Sequence, residues 1–82
     1  MTARLVYSHH AAQMLSERNI HPEWVERTIA APEALEVDPN RPDTKRALLP
    51  IPENGNRTLH VVYVEKPDAI RIVTAFFDRN RS

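Results

Sequence analysis

The sequence predicts an α+β fold, a helical hairpin packed on a twisted antiparallel sheet. Three observations carry that expectation. Apolar residues recur at helical spacing between His9 and Ile29 and at strand spacing from Lys45 to Phe77. The turn-forming residues fall between those blocks, at Asn19, Pro32, Pro39 to Pro42, Asn54-Gly55 and Pro67-Asp68. The length, 82 residues of which 41% are hydrophobic, holds a single domain over residues 1–82. Such a chain buries roughly 60–65% of the surface its unfolded form exposes.

Each element has a local reason. Arg4 to Tyr7 is a short β-prone run, and Ser8 behind it is an N-cap. His9 to Asn19 has helical spacing, with Ala11, Leu15 and Arg18 on one stripe and His10 and Met14 beside them. Asn19 accepts the left-handed conformation and stops the helix. Pro22 suits the first position of a second helix, where its missing N–H is no loss, although His21 is a weaker cap than Ser or Asp. Glu23 and Glu26 complement the positive end of that helix, which ends at Ala31-Pro32. Trp24, Val25 and Ile29 are its core side. Ala34 to Val37 is a weak strand and residues 38–43 read as a loop. Lys45 to Leu49 is a strand stopped by Pro50 and Pro52. Asn54-Gly55 is the sharpest turn signal. Thr58 to Glu65 is a strong strand with Leu59, Val61 and Tyr63 on one face. Ile70 to Phe77 closes the sheet, with Ile70, Ile72, Thr74 and Phe76 expected on one face.

Composition excludes several classes. Cysteine is absent, so there is no disulfide scaffold, thiolate zinc site or cysteine nucleophile. No apolar run approaches membrane length and Met1 to Ile20 has no signal-peptide core, so the chain reads as cytoplasmic and without membrane contact. The four histidines lack metal-ligand spacing, so neither a metal nor a cofactor is expected. Net charge is zero but unevenly spread: residues 1–40 carry three Arg against six acids, and residues 41–82 carry eight Lys and Arg against five acids. At most this gives one polarised face, which lowers a nucleic-acid reading without removing it.

Four segments together resemble a known pattern. His10-Ala11, Met14-Leu15 and Arg18-Asn19-Ile20 resemble the helical opening of a small bacterial family labelled a domain of unknown function. Arg46-Ala47-Leu48-Leu49, Leu59-His60-Val61-Val62-Tyr63 and Ile72-Val73-Thr74-Ala75-Phe76 resemble its middle, next and closing strands. The likeness runs from about Tyr7 to Phe77. That family in turn resembles the RelE/ParE/BrnT superfamily of small toxins, which implies a toxin-like protein, an antitoxin partner and RNA as target of a metal-independent ribonuclease. The chain departs from the pattern in three ways: Asn19 stands for a Gly, His21 for a Ser-like cap, and the charge is zero where such toxins are basic.

For that chemistry the candidate catalytic residues are His10, Arg46, His60 and Thr74, and the candidate substrate-binding residues are Arg18 and Arg57. Two imidazoles, one taking a proton and one giving it, are the minimum set for acid–base cleavage of a phosphodiester. Arginines clamp the phosphate and balance charge in the transition state, and the Thr74 hydroxyl orients a partner. Plainer roles stand beside these. His10 can hold the helix against a strand edge, His60 can be a structural strand residue, and Arg18 can lay its stem on the core and pair with a carboxylate or carbonyl. The rival to the enzyme is a non-catalytic protein-interaction module of the same fold, including one that binds a protein target as ParE relatives do. His10, Arg46 and Thr74 are expected to share one concave surface. An exposed edge strand, either Ala34 to Val37 or Ile70 to Phe77, is expected to pair with a partner or with a second copy in a homodimer.

Overall fold

The computed structural model describes residues 4–78. Strand β1 (Arg4–Tyr7) leads directly into helix α1 (His9–Glu17), where the Ser8 side chain accepts from the Ala11 N–H at 3.0 Å, as an N-cap should. Asn19 adopts φ 55° and turns the chain into helix α2 (Pro22–Ala30). Pro22 stands at its start, and the His21 side chain makes no capping hydrogen bond among the described residues but sets its ring edge-on to Trp24 at 4.4 Å. Strands β2 (Ala34–Asp38), β3 (Arg41–Ile51), β4 (Arg57–Glu65) and β5 (Ala69–Phe77) follow, with a 3-10 turn at Pro52–Asn54. The α+β class holds, and no helix among the described residues is long and apolar enough to cross a membrane.

The sheet order is β1-β5-β4-β3-β2. Three pairings are antiparallel, but β1 runs parallel to β5, so the sheet is mixed where an antiparallel one was expected. The reason is connectivity: the two helices carry the chain from β1 across to β2, and β5, running antiparallel to β4, returns alongside β1 in the same direction.

Four further departures have local causes. The segment 38–43 is not a loop; β2 and β3 join through Pro39-Asn40 alone, where the Asp38 carboxylate accepts from the Asn40 N–H at 2.8 Å. β3 runs through Pro42 and Pro50 because each lies where β3 has one neighbour. Pairing to β4 starts at Thr44 and pairing to β2 ends at Leu48, so neither missing N–H breaks a double ladder. The turn before β4 places its positive φ at Gly55 (64°) and Asn56 (59°), one residue later than an Asn-Gly hairpin turn would. In β5 the register slips: Val62 faces Thr74 but Tyr63 faces Ile72, leaving Val73 as a bulge. Ile70 and Ile72 therefore point to one face, Thr74 and Phe76 to the other.

Both helices lie on one face. α1 packs over β5 and β1, α2 over β4 and β3. The core between them is Ala11, Leu15, Ile20, Trp24 and Val25 against Ala47, Ile51, Leu59, Val61, Tyr63, Ile72 and Ala75. Thr28 is also fully buried and bonds the Trp24 carbonyl at 2.8 Å. Phe77 meets Trp24 edge-on at 5.9 Å.

Outside the core, the Arg27 guanidinium forks onto both Glu53 oxygens at 2.9 and 2.8 Å and ties α2 to the 3-10 turn. The hydrogen bond from Arg27 holds the Glu53 carboxyl down to about 2, well below its ordinary 4.5. A carboxyl with a depressed folded-state value adds stability above its unfolded value and loses it as pH falls through the folded one. Wild type should therefore melt above Glu53→Gln at neutral pH, by a modest margin because the pair is solvated. The gap should close as pH falls from 4.5 towards about 2. Thermal melts of both proteins across that range check this, and a pH-independent gap would contradict it.

Candidate functional site

The face opposite the helices carries no helix among the described residues, and strand register arranges its side chains in rows. Leu48, His60 and Phe76 form one row across β3, β4 and β5. Arg46, Val62 and Thr74 form the next, and Thr44, Val64 and Arg71 the third. On the flanks Glu36 of β2 stands beside Arg46 and Val6 of β1 beside Arg71. Adjacent strands are about 4.8 Å apart, so the Arg46 and Thr74 backbones, both in register with Val62, are separated by roughly 10 Å.

His60 and Phe76 are directly opposed, and their rings stack at 4.9 Å with an interplanar angle of 11°. His60 Nε2 lies 3.4 Å from an Asp78 carboxylate oxygen, and Nδ1 is buried without a hydrogen-bond partner. The side chain is only 12% exposed. Asp78 is placed by its own backbone N–H, which donates to the Thr58 carbonyl at 2.8 Å. Neither imidazole nitrogen therefore points freely to solvent, so the ring acts here as half of a stacked platform and as a partner for Asp78.

β1 pairs only with Ala69–Ile72, so beyond Val73 the outer margin of β5 faces α1. Arg18, just past the end of α1, reaches that margin and donates from Nη1 to the Ala75 carbonyl at 3.1 Å. Arg57 opens β4, lies over the Phe77 ring at 5.4 Å and donates weakly to the Asp78 carbonyl at 3.4 Å. Arg18, Arg57, Thr74, Phe76 and Phe77 line one hollow of ≈ 550 Å³. Arg46 lies in a second hollow, 3.7 Å from Glu36 with both side chains half exposed. His10 lines a third with Ser8, Val64, Lys66, Arg71 and Val73. Because Val64 and Arg71 belong to the bare face, His10 stands at its rim and not behind the sheet.

The structure thus brings Arg18, Arg57 and Thr74 to one hollow with His60 stacked beside it, and sets Arg46 and His10 apart, each in a hollow of its own. Arg18 is exposed and takes the plainer of its two roles in part, a guanidinium on a carbonyl. Sequence reasoning did not single out Phe76, Asp78, Arg71 or Lys66 for the site. A bulge hid the Phe76–His60 pairing, and only the basic character of the second half hinted at Arg71 and Lys66. Among the described residues no group of three or more His, Asp or Glu could hold a metal ion.

A two-layer α+β chain with one bare sheet face is the class that the fold and this site define. The chain belongs to the family described as Domain of unknown function (DUF4258), whose model matches residues 7–77. No curated protein and no solved structure matches it.

The Arg18 anchor is testable. Arg18→Ala strips the bond to Ala75, so the melting temperature should fall by several degrees, on the order of 1 kcal/mol for one charged hydrogen bond. Arg18→Lys should recover only part, since the point charge replaces a planar fork. A melting temperature equal to wild type in both variants would show that Arg18 is not a structural tie.

Proposed function

We propose that this chain is a toxin-like protein of the RelE/ParE kind whose bare sheet face takes a single strand of RNA. One observation carries the reading: two guanidiniums, a hydroxyl and an aromatic ring converge on the hollow at the margin of β5. Those groups match a nucleotide. Arg57 meets a phosphate, the Thr74 hydroxyl bonds a sugar or phosphate oxygen, and Phe76, backed by the His60 ring, offers a face beside which a base can stack. Arg46, Arg71 and Lys66 extend the positive strip on either side, where neighbouring phosphates would lie.

Metal-independent cleavage asks for more. The 2′-oxygen must lose its proton to a base while it attacks phosphorus, and the 5′-oxygen must gain a proton as its bond to phosphorus breaks. His10 is exposed and is the better placed of the two histidines to move a proton, with Arg46 or Arg71 balancing the phosphate charge. The non-catalytic form of this reading is favoured by His60, whose nitrogens are buried or turned to Asp78. The same bare face would then serve binding alone, and an antitoxin would act by covering it.

Anisotropy with labelled oligouridine should show binding that weakens with salt, by a log–log slope of about 0.7 for each phosphate engaged on a single strand. Arg57→Ala and Arg71→Ala should each remove about one such contact. Affinity that is absent at low salt, or untouched by both substitutions, would end the RNA reading. In the same samples with a chelator, cleavage lost on His10→Ala or Arg46→Ala, by roughly 10²- to 10⁴-fold, assigns the ribonuclease. Binding without cleavage assigns the non-catalytic module.

A further inference from the structure

We propose that β2 is a docking strand for a partner protein, taking an extended segment in which apolar residues alternate with lysine or arginine. β2 stands at the end of the sheet with β3 on one side only, so the backbone groups on its other margin have no strand partner among the described residues. The helices do not shield it. α2 packs over β3 and β4, and beyond it Leu35 and Val37 are 50% and 53% exposed on the helix side of the sheet. An incoming strand would extend the ladder and lay its own apolar side chains beside those two, as strand addition requires.

Charge selects the occupant. Residues 33–38 contain Glu33, Glu36 and Asp38 and no basic residue. Asp38 is engaged with the Asn40 N–H, and Glu36 forms an exposed ion pair with Arg46 at 3.7 Å, but the bases of β3 lie one strand further from an incoming strand, roughly 10 Å against about 5 Å for the acids of β2. A second copy of β2 would bring three more acids to the same margin, and like charges placed opposite one another in a sheet repel. The acids thus act as a guard against self-pairing while attracting a basic strand. Ala34–Asp38 contains neither the proline nor the lysine that usually blocks an edge, and the register shift between Val37 and Asp38 closes only its far end.

The apolar contacts are separate from the bare-face reading, because Leu35 and Val37 lie on the other side of the sheet, while Glu36 borders Arg46 on the bare face. The test is a titration of isotope-labelled wild-type protein with a short peptide alternating valine and lysine, followed by amide chemical shifts. Shifts should centre on residues 33–38 and the facing part of β3. A peptide with glutamate for lysine should bind on the order of tenfold more weakly. Glu36→Lys should reverse that preference, with the spread of its spectrum showing that the exposed substitution leaves the fold intact. No shifts at millimolar peptide, shifts centred elsewhere, equal binding of both peptides, or a wild-type dimer paired through β2 would each overturn the proposal. Oligouridine binding by the wild type, measured without peptide, separates failure here from failure of the bare-face reading.

Discussion

Two nine-residue helices cannot cover a five-stranded sheet. At 1.5 Å per residue each helix is about 14 Å long, and five strands span about 19 Å between the outer two at 4.8 Å spacing. α1 and α2 side by side occupy one face over β1, β5, β4 and β3. That leaves the whole of the opposite face bare and strips β2 of cover on the helix side as well. Leu35, Val37, Val6 and Val73 stay exposed for this reason and not because the strands are poorly made. The core is complete without them, since Ile51, Leu59, Val61, Ile72 and Val25 are buried to the limit. A small chain that closes its core on one side keeps its other surfaces free for binding.

The joint between the layers decides what the free surfaces hold. From Val73 onward β5 has lost β1 as a neighbour, and its margin is closed by Arg18 on the Ala75 carbonyl. A guanidinium suits that place because its stem reaches past apolar neighbours while its head serves a carbonyl that no strand can serve. The same anchoring leaves the Arg18 head at the wall of the hollow that also holds Arg57 and Thr74. One residue therefore links stability to the shape of the candidate site.

What could be read in the sequence followed from local rules. Ser8, Asn19 and Pro22 mark helix limits by hydrogen-bonding capacity and allowed φ, and all three do so in the structure. Leu59, Val61 and Tyr63 obey strict alternation and face the helices. Alternation fails in β5 because one extra residue, Val73, has no sequence signature: it is β-branched, and suited to a strand on its own terms. That single residue moves Thr74 and Phe76 to the bare face and sets Phe76 on His60. The prolines misled in the opposite direction. Pro42 and Pro50 read as strand ends, yet each sits where the ladder is one-sided, a fact that belongs to the pairing and not to the residue. The parallel β1 is likewise set by where the chain returns, not by Arg4 to Tyr7.

Zero net charge bears on the site less than it first seems to. The acidic first half of the chain supplies α1, α2 and β2, and the basic second half supplies β3, β4 and β5. A division along the sequence thus becomes a division in space. Glu17, Glu23 and Glu26 lie on the exposed helix layer, and Arg46 and Arg71 on the bare face. The molecule measures 34 × 25 × 25 Å, and charges in physiological salt are screened over about 8 Å. An anion at the bare face therefore responds to Arg46 and Arg71, with Glu36 beside Arg46 as the nearest acid, and hardly to the glutamates of the helix layer. A basic strand at the outer margin of β2 lies one strand nearer to Glu33 and Glu36 than to the bases of β3. The helix layer and the bare face can therefore carry different local fields on a neutral chain this small, whereas at the seam of β2 and β3 opposite charges meet directly, as Glu36 and Arg46 do at 3.7 Å.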